Sequence, residues 1–210
     1  MLFRSLRAAY LRIIGAIALF TFPTMAGVYA VADDFVLVVF GPKWMEMVPV
    51  LKVVCWVVML QSVAATASTI LLSKGDSKIL FRLSVVSALF MAIALIIGSR
   101  WGLIGTAIAY SCVALLDYSA LIYFSTKKIG VSVASFLRTL RGSFLAAMGM
   151  SFLVLTVAAQ LSEIAAVWRL VVSISNGIVC YLILTYILNR RDSRDILKLL
   201  LATWLRRRGV

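Results

Sequence analysis

Six long apolar runs divide this 210-residue chain, and its basic residues crowd into every second gap between them. Seventeen of the 21 Lys and Arg fall in alternate gaps: Arg4, Arg7 and Arg12; Lys74, Lys78 and Arg82; Lys127, Lys128, Arg138 and Arg141; and the seven from Arg190 to Arg208. The intervening gaps hold only Lys43, Lys52, Arg100 and Arg169. Lys and Arg resist translocation, so the loops that keep them stay on the cytoplasmic side. The pattern predicts an even number of membrane crossings with both termini in the cytoplasm.

Composition agrees. The chain is 63% hydrophobic and only 14% charged. A soluble domain of this length has no interior large enough to hide that much apolar surface. A net charge of +13 can signal nucleic-acid binding. Here the cations lie at the ends of apolar runs, where anionic lipid headgroups meet them, so the expected partner is the bilayer and not a nucleic acid. Cys55, Cys112 and Cys180 each lie within an apolar run and have no CxxC spacing, which reads as small core residues. There is no His, which removes the commonest general base and the commonest zinc ligand. No catalytic group, metal site or cofactor is expected.

The runs predict an all-α, polytopic membrane protein of about six helices. Crossings are placed at about 13–32, 50–72, 79–98, 103–124, 142–161 and 166–188 within a bundle over 1–190; about 20 residues at 1.5 Å each cover a hydrocarbon core of about 30 Å. The first run, preceded by three Arg, rivals a signal peptide. Its length exceeds an h-region of about 7–15 residues, which favours an uncleaved crossing, and Pro23 and Gly27 suit a kinked one. Residues 33–49 read as an outer loop with an interfacial helix or strand at Phe35–Phe40. Residues 73–78 read as a tight turn pairing the second and third crossings. Ser125 to Arg141 reads as a connector able to lie on the membrane as an amphipathic helix, and 191–210 as a basic amphipathic tail on the inner leaflet. Small residues four apart (Ser84, Ala88 and Ala92; Gly105 and Ala109; Ser143, Ala147 and Ser151) are expected at helix–helix contacts.

Several segments resemble the middle of a known family. They are Pro23-Thr24-Met25-Ala26-Gly27, Ala32-Asp33-Asp34-Phe35-Val36, Phe40-Gly41-Pro42-Lys43-Trp44, Pro49-Val50-Leu51, Leu71-Leu72-Ser73-Lys74-Gly75-Asp76, and Trp101-Gly102-Leu103-Ile104-Gly105-Thr106-Ala107-Ile108-Ala109-Tyr110. Together they are similar to bacterial O-antigen and exopolysaccharide flippases of the multidrug/oligosaccharidyl-lipid/polysaccharide exporter superfamily. The resemblance covers roughly residues 4–121, and the rest agrees by topology. It implies alternating-access transport of lipid-linked polysaccharide repeat units across the bacterial inner membrane, without covalent chemistry. Family members have two six-helix lobes, and this chain resembles only the second. It therefore implies a truncated or split flippase, or a half that works with a first-lobe partner or with polymerase and export proteins.

Polar residues inside the apolar runs are the candidate site. A carboxylate within a crossing costs about 2.5–3.5 kcal/mol to insert, so Asp117 either faces a cavity, for ion coupling or sugar binding, or is hydrated from the inner side. Gln61 and Asn176 carry amides that suit sugar hydroxyls, or hydrogen bonds between helices. Lys52 and Arg82 lie just inside run ends, placed for a pyrophosphate headgroup or for snorkelling to the interface. Asp33, Asp34 and Lys43 read as residues that orient an outer loop. Two other classes compete with the flippase: a scaffolding subunit of a polysaccharide assembly complex, and a membrane transferase acting on lipid-linked sugars.

Overall fold

A computed structural model describes residues 2–73, 75–161 and 164–188; the tail expected at 191–210 lies outside them. The described residues form α1 (Leu2–Val39), a short 3-10 helix (Pro42–Met47), α2 (Val48–Ser73), α3 (Ser77–Gly98), α4 (Gly102–Ile129), α5 (Val133–Gln160) and α6 (Ala166–Leu188). No strand occurs among them. The protein is thus an all-α polytopic membrane protein, with helices long and apolar enough to cross a bilayer.

Counted as unbroken apolar helical stretches there are five, because Ser77–Ile129 runs on for 53 residues. A straight helix of that length would be about 80 Å long, far beyond a hydrocarbon core of about 30 Å. The stretch instead folds back at Ser99–Trp101, where Gly102 takes φ +72°, and α3 packs along α4. Six helices result.

α1 is the centre of the bundle, packed against α2, α5 and α6. Its buried residues step by four: Tyr10, Ile14, Ala18, Phe22, Ala26 and Ala30. Four residues turn about 400°, so the buried stripe drifts about 40° per step and winds around the helix, presenting a packed surface to successive neighbours. Met59, Val63, Ala64 and Ala67 of α2, and Phe136, Leu140, Ala147, Met150 and Val154 of α5, complete this core. A smaller cluster of Ala32, Val36 and Val48 joins α1 to α2 at the other end of α1. Helix α6 packs on α1 and α5, and α4 on α2 and α3.

Two readings of the connections are corrected. Residues 33–39, expected in a loop, continue α1. The two acids do not end the helix because each has a cationic partner, and Val36 is fully buried. The expected amphipathic connector at 125–141 is also absent. Helix α4 runs to Ile129, Gly130 closes it in a left-handed conformation (φ +66°), and α5 starts at Val133 behind Ser132, whose hydroxyl accepts the Ser135 N–H. Phe136 and Leu140 are buried in α5 rather than laid on a surface.

The small-residue rows divide. Ser143, Ala147 and Ser151 are buried in α5. Gly105 and Ala109 meet α3 at Gly98, where an added Cβ would come 2.8 Å from the Ala109 Cβ and 2.9 Å from the Gly105 carbonyl oxygen. The Ser84–Ala88–Ala92 row is exposed, contrary to expectation. Helix α3 turns Ser87, Met91, Ala94 and Gly98 inward instead, and leans on α4 far more than on α2.

Candidate functional site

Pro23 lies within α1, which is continuous through it. Proline has no N–H to give to the carbonyl four residues back, here that of Leu19. Tyr181 of α6 fills the vacancy, its hydroxyl donating to the Leu19 oxygen at 2.7 Å. On the neighbouring turns the Thr21 and Thr24 hydroxyls donate to the carbonyls of Ile17 and Phe20 at 2.8 and 2.7 Å. Thr21 also meets the Ser62 hydroxyl of α2 at 3.0 Å. This stretch of α1 is therefore tied to two different helices by hydroxyl groups. On the same two helices, Thr24 of α1 and Gln61, Ala65 and Thr69 of α2 are exposed.

Toward the C-terminal end of α1 lies a group of four charges. Asp33 takes the Lys52 ammonium of α2 at 2.6 Å, and that ammonium lies 6.0 Å from the centre of the Tyr29 ring. Asp34 is buried and takes Arg169 of α6 through both carboxylate oxygens: Nε donates to Oδ1 at 2.9 Å and to Oδ2 at 2.8 Å, and Nη2 also bonds Oδ1. A forked guanidinium matched to a carboxylate is the strongest kind of side-chain pair, and a planar one. The two pairs differ in exposure: Asp33 keeps 57% of its side-chain surface, Asp34 only 9%.

At the opposite end of the bundle, Arg7 donates from Nε to the Ile129 carbonyl at 2.6 Å, supplying a cation where the dipole of α4 is negative. Lys128 bridges to Asp76, before the first turn of α3, at 2.9 and 2.8 Å from its two oxygens.

The five residues singled out in the sequence do not converge. Gln61 and Lys52 are on α2, Arg82 on α3, Asp117 on α4 and Asn176 on α6, and α6 packs on α1 and α5 rather than on the others. Gln61 is exposed. Asp117 is half-buried and has no hydrogen bond or ion pair among the described residues. Asn176 accepts the Cys180 thiol at 3.3 Å through Oδ1, while its Nδ2 is enclosed without a partner among them. Lys52 is held by Asp33, and Arg82 is exposed beside Ser77, Lys78 and Phe81 at a shallow recess. The Asp34–Arg169 pair was missed. Its signal was present: Arg169 is one of only four cations in the cation-poor gaps, and two adjacent acids stand at the far end of the first apolar run. Among the described residues no three His, Cys, Asp or Glu gather as metal ligands.

A six-helix membrane bundle with polar groups on helix faces and inter-helix ion pairs at both ends defines a class, the polytopic helical membrane proteins. Comparison with known proteins narrows it. A family model described as "Polysaccharide biosynthesis protein" matches residues 3–49, which are nearly all of α1, the whole 3-10 turn after it and the first two residues of α2. The teichuronic acid biosynthesis protein TuaB of Bacillus subtilis is 26% identical over 182 residues, covering 85% of this chain and 38% of its own length. The lipopolysaccharide biosynthesis protein WzxC of Escherichia coli is 30% identical over 120 residues, covering 57% of this chain and 24% of its own. A Klebsiella pneumoniae protein described as an uncharacterized membrane protein in the cps region is 30% identical over 118 residues, 54% of this chain and 24% of its own length. No solved structure matches. The chain thus spans about a quarter to two-fifths of the relatives it matches, and the resemblance to membrane proteins of bacterial polysaccharide biosynthesis is borne out.

Proposed function

We propose that this chain forms one half of a flippase that moves lipid-linked polysaccharide repeat units across the bacterial inner membrane by alternating access, with no covalent step. The observation that carries the reading is its similarity to TuaB over 85% of its own length but only 38% of that protein's, alongside the match to WzxC. A six-helix bundle with that coverage suits one wall of a pathway whose other wall lies outside these residues, as in transporters that place substrate between halves.

The face shared by α1 and α2 is the part of the bundle best suited to line such a pathway. Thr24, Gln61 and Thr69 are exposed there, between large apolar side chains that lipid covers elsewhere. The threonine hydroxyls are satisfied by carbonyls of their own helices, which leaves the Gln61 amide available for a sugar hydroxyl. Asp117 is the coupling candidate, a membrane carboxylate with no partner among the described residues. Asn176 remains a candidate sugar contact through its enclosed Nδ2. Lys52 and Arg82 remain candidates for the pyrophosphate, Lys52 only by leaving Asp33. The positive-inside pattern supports both termini in the cytoplasm, with Arg7, Lys78, Arg82, Lys127 and Lys128 on that side.

The test is export of lipid-linked glycan in cells lacking the gene, complemented by this chain alone or by this chain fused to a homologous first lobe. Rescue by the fusion is expected, and rescue lost on Asp117→Asn at unchanged protein level fits coupling through that carboxylate. Rescue by neither form would overturn the transport reading in favour of a scaffolding subunit.

A further inference from the structure

Helix α3 has two cations, Lys78 and Arg82, and both lie near its start. With Ser77 and Phe81 they line a shallow recess, and all four residues are exposed. Neither cation has an ion pair among the described residues. The carboxylate next to them in the chain, Asp76, is taken by Lys128 of α4. Below the recess the surface of α3 changes character. At about 100° per residue, Phe81, Ser84, Ala88 and Ala92 share a sector of about 80°, and Lys78, Arg82, Val85 and Leu89 form the strip beside it. Ser84, Ala88 and Ala92 are exposed, with the larger Val85 and Leu89 standing out along one edge. The row is a shallow channel that starts under the two cations. From Arg82 to Ala92 it runs about 15 Å, half of a hydrocarbon core of about 30 Å and so the depth of one leaflet.

We propose that this face of α3 holds one anionic phospholipid, its phosphate between Lys78 and Arg82 and one acyl chain along Ser84, Ala88 and Ala92. Charge complementarity selects the headgroup. The arginine fork matches two phosphate oxygens and the lysine adds a point charge, as in other basic pockets at the membrane surface. The channel selects an amphiphile over a free phosphate, because only a molecule with a chain fills both parts. The pyrophosphate of a polyprenyl carrier offers Arg82 the same chemistry. Phospholipid is the favoured occupant because α3 is open to bulk lipid on most of its surface, Gly98 being its one buried residue. A bound chain also gives a partner to a row of small residues that no other helix covers.

The whole chain, purified in detergent and stripped of lipid, is titrated with phosphatidylglycerol and separately with phosphatidylcholine, and bound lipid is counted by native mass spectrometry. One phosphatidylglycerol should bind about tenfold more tightly than phosphatidylcholine. Lys78→Gln with Arg82→Gln should remove that preference. Ala88→Leu fills the channel and keeps both cations, and should weaken binding about threefold or more. All three positions are exposed, so the fold is not at stake. Lys127→Gln, at an exposed cation beside Lys128, should leave binding unchanged. An equal loss in Lys127→Gln overturns the proposal, because the lipid would then follow overall charge. So does a preference that survives in the double variant, or binding to Ala88→Leu as tight as to the parent. Two competition arms separate the sources of phosphate. Displacement by inorganic phosphate at millimolar concentration assigns the recess to a free anion, and displacement by undecaprenyl pyrophosphate below the concentration at which phosphatidylglycerol binds assigns it to the carrier; either overturns the phospholipid. Glycan export enters none of these outcomes, so a failure here leaves the transport reading untouched.

Discussion

Leu19, Pro23 and Tyr181 form a unit in which each residue makes sense of the others. Proline within α1 leaves a carbonyl without its helical donor, and a tyrosine on another helix supplies one. Tyr181→Phe removes the donor and leaves the Leu19 oxygen unpaired in an apolar setting, at a cost of about 1 kcal/mol, since hydrogen bonds between membrane helices are worth about 0.6 on average and buried orphan groups somewhat more. Adding Pro23→Ala restores an N–H within α1, so the double variant should recover most of the loss in thermal stability measured in detergent. Additive losses would mean that the two residues act separately. Glycine supplies a second contrast. Gly75 and Gly130 both take positive φ, but a Cβ at Gly75 would meet nothing, whereas at Gly130 it would collide with the Arg7 guanidinium. Gly75→Ala should cost about 1–2 kcal/mol of backbone strain. Gly130→Ala should cost somewhat more, because the end of the Arg7 guanidinium must also shift aside, and the same thermal measurement on the pair separates strain from collision.

Helix α3 is held differently from the rest. Gly98 is its one buried residue, and there the helix meets Gly105 and Ala109 of α4 with no room for a Cβ. Gly98→Leu should therefore splay the α3–α4 hairpin at a cost of about 1–3 kcal/mol, typical of overpacking, while the α1–α5 core stays closed. Disulfide cross-linking of cysteine pairs placed across each contact checks this: the α3–α4 pair should lose its cross-link and the α1–α5 pair keep it. How much of the elements was legible follows from the same chemistry. Hydropathy and basic punctuation were enough for six helices, because both follow from the bilayer and need no knowledge of neighbours. The far end of α1 was not legible. Asp33-Asp34 read as the end of a crossing, since a local reading cannot know that Lys52 and Arg169 stand opposite. The 125–141 stretch failed for a similar reason: its spaced apolar residues fit a bilayer surface as well as they fit α1, and only the fold shows Phe136 and Leu140 buried in the core. The candidate site was legible as a set of polar residues but not as a place, because Gln61 and Asp117 lie on the packed pair α2 and α4 whereas Asn176 lies on α6, which packs on α1 and α5.

At the scale of the whole molecule, α1 is packed on several sides while α3 is open on most of its surface. The segment matched by the family model, residues 3–49, is this central helix, the turn that follows it and the start of α2. A library covering every substitution would show the same contrast. Along α1 the tolerated amino acids should narrow at every fourth position from Tyr10 to Ala30, where neighbouring helices leave no spare volume. Along α3 the profile should be nearly flat for one apolar residue exchanged for another and steep only for charges, because lipid conforms to any side chain that it can dissolve. The central helix would then hold the chain's ancestry legible, while its outermost helix drifts.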